Sequence, residues 1–164
     1  MGKTSLIRRY LEDAFSESYT ATVGVGMNVA SFEFPDGKIV LSVVDIGGQQ
    51  SFTALRGRFY LGSHHVIFVY DRTSRETFDN IPKWYESLNR GPFMTDDEAL
   101  CGSLVANKSD KADEIQVSTQ DGKHLANLLS LEYFETSAKT GEGVSELFIQ
   151  AVTTSRMKVR SRIA

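Results

Sequence analysis

Three short apolar runs, "HVIFVYD" (65–71), "CGSLVANKSD" (101–110) and "EYFETSAK" (132–139), each end in a polar or charged cluster and are separated by stretches of helical spacing. This alternation constrains the fold more than any other feature. Strands that take turns with helices build a mostly parallel α/β sheet with helices on both faces, and such sheets collect ligands at the carboxyl ends of their strands. Between the first two runs, "RETFDNIPKWYESLN" (75–89) sets Phe78, Ile81, Trp84, Tyr85 and Leu88 along one helical face. "TQDGKHLANLLS" (119–130) and "GVSELFIQAVTTS" (143–155) supply the helices before and after the last strand. Nearer the start, "TSLIRRYLEDAF" (4–15) repeats Leu6, Ile7, Tyr10 and Leu11 at helical spacing. The alternating "MNVASFEF" (27–34) and the nearly continuous apolar "KIVLSVVDI" (38–46), joined by "PDG", predict a hairpin whose second strand is deeply buried. "GPFMTDDEAL" (91–100) reads as a mobile surface loop.

Residues 1–164 are expected to form a single domain, long enough to bury a core. With 41% hydrophobic and 24% charged residues and a net charge of -3, the chain is read as soluble, without the basic bias of a nucleic-acid binder. The single Cys101 excludes an internal disulfide and sits in an apolar stretch, where a packed core thiol is expected. No apolar run approaches the roughly 18 residues of a membrane span, and no signal-peptide core is seen, so a cytoplasmic protein is expected. His64, His65 and His124 lack metal spacing and are read as structural.

The polar clusters fall where such a sheet binds ligands. At the very start, Gly2, Lys3 and Thr4 match the end of the phosphate-loop signature G-x-x-x-x-G-K-[ST]. In that loop, backbone N–H groups cradle phosphates, a Lys reaches their outer oxygens and a hydroxyl holds Mg²⁺. "DIGGQ" follows a buried strand, so Asp45 can support a Mg²⁺ shell through water. Gly47 and Gly48 permit close backbone approach to a terminal phosphate, and Gln49 can orient a water for attack. In "NKSD", Asp110 can accept two hydrogen bonds, which fits the paired N1–H and amine of guanine and finds no counterpart on adenine. Asn107 can bond the other edge of the base and bridge to the phosphate loop, while the stem of Lys108 covers the ring. In "ETSAK", the backbone N–H of Ala138 can reach the guanine carbonyl, supported by Ser137 and Lys139. Thr22, in "YTATVGVG", can complete the Mg²⁺ shell when a third phosphate is present. Taken singly, each cluster is also an ordinary strand-end turn or surface loop.

Their order and placement together are not coincidental: the chain resembles the Ras superfamily of small GTPases, closest to the Ras and Rab branches, across essentially its whole length. The resemblance implies a P-loop G-domain that binds GTP and GDP with Mg²⁺ and hydrolyses GTP as a molecular switch in signalling or trafficking. By that likeness, Gly2, Lys3, Thr4 and Ser5 belong to the nucleotide site, Lys3 contacting the β- and γ-phosphates. Thr4 and Thr22 bind Mg²⁺ with support from Asp45, Gly48 senses the γ-phosphate, and Gln49 positions water. Phe15 packs beside the guanine and Tyr19 covers the phosphates. Asn107, Lys108, Asp110 and Ala138 read the base, with Ser137 and Lys139 beside them. Exchange factors, GTPase-activating proteins and effectors are implied at the loops around Thr22 and Gln49.

The departures are specific. Val44 stands where Rab proteins carry a Trp, and Gly47 where Ras and Rab have Ala, which is similar to the DxGGQ of the Arf branch. "RMKVRSRIA" contains no Cys, so a prenyl anchor is not expected, and Arg156, Lys158, Arg160 and Arg162 offer at most weak contact with anionic lipid. The family's domain begins with a strand and the first half of the phosphate loop, roughly 10 to 15 residues that would precede Met1. The resemblance places that strand between "KIVLSVVDI" and "HVIFVYD", so without it two buried edges are expected to be exposed. Two alternatives follow: a truncated or nucleotide-independent pseudo-GTPase acting only as an interaction module, and an ATP-using P-loop enzyme, which Asp110 disfavours.

Overall fold

A computed structural model describes residues 1–18, 22, 24–47, 62–89 and 101–163. In chain order the elements are α1 (Lys3–Glu12), β1 (Val25–Phe34), β2 (Gly37–Ile46), β3 (Val66–Asp71), α2 (Arg75–Asp79), α3 (Ile81–Asn89), β4 (Gly102–Asn107), α4 (Thr119–Leu128), β5 (Glu132–Thr136) and α5 (Val144–Ile163), with a 3₁₀ turn at Ala112–Glu114. The expected mobile loop at 91–100 lies outside the described residues.

The three apolar runs that open the sequence argument form a parallel sheet in the order β3-β4-β5. Every residue of β4 is buried, as a strand with a neighbour on each side and helices on both faces requires. Successive side chains along β3 and β4 point to opposite faces, and this alternation splits the core in two. Phe68, Tyr70, Leu104 and Ala106 pack with Phe78, Ile81 and Leu88 of α2 and α3 and with Ala126 of α4. Val69 and Val105 pack on the other face with Leu6 and Ile7 of α1 and with Val144, Leu147 and Phe148 of α5.

The second strand, expected to be deeply buried, is largely half-buried or exposed with only Asp45 buried, but the predicted hairpin is present, antiparallel and in unbroken register from Val25 opposite Ile46 to Phe34 opposite Gly37. It stands apart from the parallel sheet: among the described residues, β2 pairs only with β1 and β3 only with β4. A cavity of about 900 Å³ opens between the two, walled by Leu41 and Val43 of β2, Ile67 and Val69 of β3, Leu6 of α1 and Phe148 of α5. That is far beyond a packing defect, because protein interiors leave few voids larger than a water molecule. At the hairpin tip, the guanidinium groups of Arg156 and Arg160 both engage the carboxylate of Asp36, and Arg156 also lies over the Phe34 ring, 4.3 Å from its centroid. Two of the four basic residues assigned to lipid contact are therefore committed to the hairpin.

Two helix boundaries differ from expectation for local reasons. The stretch 75–89 is broken at Asn80 into α2 and α3, because Pro82 has no N–H to donate to the carbonyl of residue 78. The first helix ends at Glu12, where Asp13 turns into the left-handed region (φ 49°) and Arg9 bonds both its carbonyl and its carboxylate.

His65, just before β3, links the sheet to α5. The Thr154 hydroxyl donates to the carbonyl of Gln150, so its oxygen accepts from His65 Nδ1–H at 3.0 Å; Nε2 then accepts from the Ser103 hydroxyl at 2.9 Å. Burial, helped by the nearby Lys158, pushes the imidazole from an ordinary 6.5 down to about 4. The unfolded chain therefore binds the extra proton first. The stabilising contribution is complete above pH 6.5 and is lost as pH falls towards about 4, an effect of about 2 kcal/mol after discounting for partial exposure. Denaturant unfolding at pH 7 and pH 4.5 is expected to show this loss, and His65→Phe to show a correspondingly smaller pH dependence.

Candidate functional site

The carboxyl ends of β3, β4 and β5, the start of α1 and the end of β2 converge on one side of the molecule. Two polar corners form there. In the first, the Thr4 hydroxyl donates to Asp45 Oδ2 at 2.5 Å and lies 2.7 Å from the Thr22 hydroxyl. Residues 18 and 41 positions away from Thr4 are thus brought onto one side chain. Asp45 is 4% exposed, and its Oδ1 has no hydrogen-bond partner among the described residues. A buried carboxylate oxygen in that state costs about 1–3 kcal/mol or more, so it marks a place built for a ligand. The donors are all oxygens, two hydroxyls and one carboxylate, which is the set a hard cation such as Mg²⁺ takes when phosphate and water complete the shell. Among the described residues no cluster of three or more His, Cys, Asp or Glu side chains suggests a different metal.

The second corner is organised by Asn107, the 1%-exposed last residue of β4. Its Oδ1 accepts from the Thr136 hydroxyl and from the Ala138 N–H, each at 3.2 Å. Its Nδ2 donates to the carbonyl of Met1 at 2.9 Å, which ties the base corner to the start of the chain. Asp110 is exposed; one carboxylate oxygen accepts from the Ser137 hydroxyl at 2.6 Å, so the group is braced while it faces solvent. Lys108 follows Asn107 in the left-handed region at φ 69° and reaches back to Asp71. Lys139 pairs with Glu17 at 2.9 Å, joining this corner to the loop after α1, where Phe15 is 38% exposed.

One helix spans both corners. Gly2 caps α1 at φ 90°, Lys3 opens it and lines the slot, and Ser5 lies in its first turn. Arg9, one to two turns on, donates from Nε to the Ala138 carbonyl at 2.9 Å and from Nη2 to the Lys139 carbonyl at 2.7 Å. Arg9, Asp71, Thr136 and Glu17 were not among the candidates drawn from the sequence. Tyr19, Gly48 and Gln49 lie outside the described residues. The structure also supplies a reason for the glycine at 47: a Cβ there would stand 2.6 Å from the Thr22 carbonyl oxygen, so an alanine would push the Thr22 loop away from Asp45.

Fold and site together define an α/β domain in which an oxygen-lined corner at Thr4, Thr22 and Asp45 stands beside a polar corner at Asn107, Asp110 and Ala138. The Ras family sequence profile matches residues 1–157. The chain is 34% identical to "Ras-related protein RABD1" of Arabidopsis thaliana over 99% of its own length and 77% of that protein. It is 33% identical to "GTP-binding protein ypt1" of Schizosaccharomyces pombe, covering 91% of this chain and 71% of the relative. It is 35% identical to "Ras-related protein Rab-12" of Mus musculus, covering 93% and 61%. The chain belongs to the Ras family, as a Rab-like small GTPase with the family's α/β G-domain fold, in the group of proteins that serve trafficking or signalling.

Gly2 is the tightest point of the site: a Cβ there would stand 2.5 Å from Asn107 Nδ2, on a backbone that L side chains rarely adopt. Gly2→Ala is expected to lower stability by about 1–3 kcal/mol through strain and the displaced Asn107 amide. Chemical denaturation of the two proteins side by side measures it.

Proposed function

We propose that the chain is a guanine-nucleotide switch that binds GTP and GDP with Mg²⁺, hydrolyses GTP to GDP and acts in the cytoplasm through regulators and effectors that meet the loops around Thr22 and Gln49. The observation that supports it most is the pairing of two corners on one helix: an orphaned buried oxygen of Asp45 beside two threonine hydroxyls, and the braced, solvent-facing carboxylate of Asp110. Asp110 meets the two adjacent donors of guanine, and Asn107 and the Ala138 N–H meet its other edge. The N–H groups at the start of α1 and the Lys3 ammonium offset phosphate charge. Thr4, Thr22 and Asp45 would hold Mg²⁺, which would supply positive charge to offset the charge developing on the phosphate. Gln49 orients the attacking water.

A competition titration in Mg²⁺ buffer tests base selection. GTP and GDP are expected to displace a fluorescent guanine nucleotide while ATP does not, and Asp110→Asn is expected to shift preference towards xanthine nucleotides, since it places a donor where an acceptor stood. Equal competition by ATP and GTP would overturn the function proposed here.

A further inference from the structure

We propose that Asp71 is a positioning residue of the guanine site, holding the Lys108 side chain in place for the base; this rests on the guanine-nucleotide function proposed above. Asp71 ends β3 in register with Asn107 at the end of β4, so the residue after Asn107 emerges beside it. That residue, Lys108, turns through φ 69°, a backbone region unfavourable to a non-glycine residue that persists where the surroundings impose it. The turn sends the ammonium back to Asp71 Oδ2 at 2.5 Å. It is closed by the Ser109 N–H on the Thr136 carbonyl and the Lys111 N–H on the Lys108 carbonyl.

The two oxygens of Asp71 divide their work. Oδ1 accepts from the Thr73 N–H at 2.9 Å and from the Thr73 hydroxyl at 2.7 Å, which is local turn chemistry. Oδ2 contacts Lys108. Asp71 is 6% exposed, and burial alone would raise its carboxyl; the Lys108 ammonium and the Thr73 donors outweigh it and hold the group below its ordinary value, so it is charged at neutral pH. Lys108 is 38% exposed at its side chain, tethered at the ammonium with its stem accessible. A stem fixed by its far end meets the ring face without first losing the freedom of a long side chain, and that loss otherwise weakens binding. Its charge is already matched by Asp71, so the flat face is presented and not the ammonium.

The division of labour makes the role separable from a structural one. In Asp71→Asn the amide oxygen continues to accept from Thr73 and the NH₂ group replaces Oδ2 against Lys108. Two readouts follow. In the nucleotide-free chain, amine acetylation mapped by mass spectrometry is expected to modify Lys108 several-fold faster in Asp71→Asn than in the unmutated protein, and Thr73→Ala is expected to leave that rate unchanged. Dissociation of fluorescent GDP is expected to quicken about tenfold in Asp71→Asn and in Lys108→Ala, as for one lost charge-assisted hold, with no further gain in the double variant and partial recovery in Asp71→Glu. Unchanged Lys108 labelling in Asp71→Asn, or additive effects in the double variant, overturns the role of Asp71. Failure of the unmutated chain to bind GDP at all overturns the guanine-nucleotide function, and is recognised separately because the labelling comparison needs no nucleotide.

Discussion

The Asn107 side chain is the contact on which the rest of this site depends. Buried at the end of the central strand, it joins two segments far apart in sequence: the carbonyl of Met1, and the end of β5 through the Thr136 hydroxyl and the Ala138 N–H. A buried amide is costly unless its donors and acceptors are matched, so these bonds hold together or fail together. The sheet makes this possible, because parallel pairing puts Asn107 between Asp71 on one side and Thr136 on the other. The glycine at position 2 follows from it, since any side chain there would occupy the space the amide fills. Base corner and phosphate corner are thereby set relative to one another by one residue and one missing Cβ.

The hairpin is attached by a different principle. Among the described residues no backbone ladder joins β2 to β3, and a slot of about 900 Å³ separates them. Contacts along the hairpin's length carry the attachment: Thr4 to Asp45 at one end, Arg156 and Arg160 to Asp36 at the other, and between them Phe32 stacked on Tyr10 of α1 and Val43 packed against the core that α1 and α5 share. The middle, between Ile39 and Val43, has an apolar wall facing an apolar wall.

What the sequence made legible follows from how local the signals are. The parallel strands were readable because short apolar cores such as "VIFVY" and "LVA" lie between polar clusters and alternate with helical spacing, and the hairpin because its turn residues and its alternation agree. The break at Asn80 was also written in the chain, in Pro82, but helical spacing on both sides masked it. The meeting of Thr4, Thr22 and Asp45, and of Asn107, Asp110, Ser137 and Ala138, could be anticipated only by taking the motifs in order, for no single one excludes an ordinary turn. Arg9, Asp71 and Glu17 were beyond reach for a plain reason. Their partners lie 129, 37 and 122 positions away, and nothing in a lone exposed-looking charge says which distant group it will face.

Arg9 shows what such a hidden contact adds. From within α1 it holds the carbonyls of Ala138 and Lys139, while Thr4, about a turn and a half earlier on the same helix, holds Asp45. A helix is stiff over ten residues, so displacement of its first turn is carried to the loop that contains the Ala138 N–H. Asn107 closes the same circuit from the sheet side, through Met1 and Ala138. Two connections in parallel, one through a helix and one through a side chain, leave little freedom for the cation corner to move without the base corner. A ligand that engages only one of them must therefore work against both connections, whereas one long enough to reach from base to cation is matched to the geometry already present.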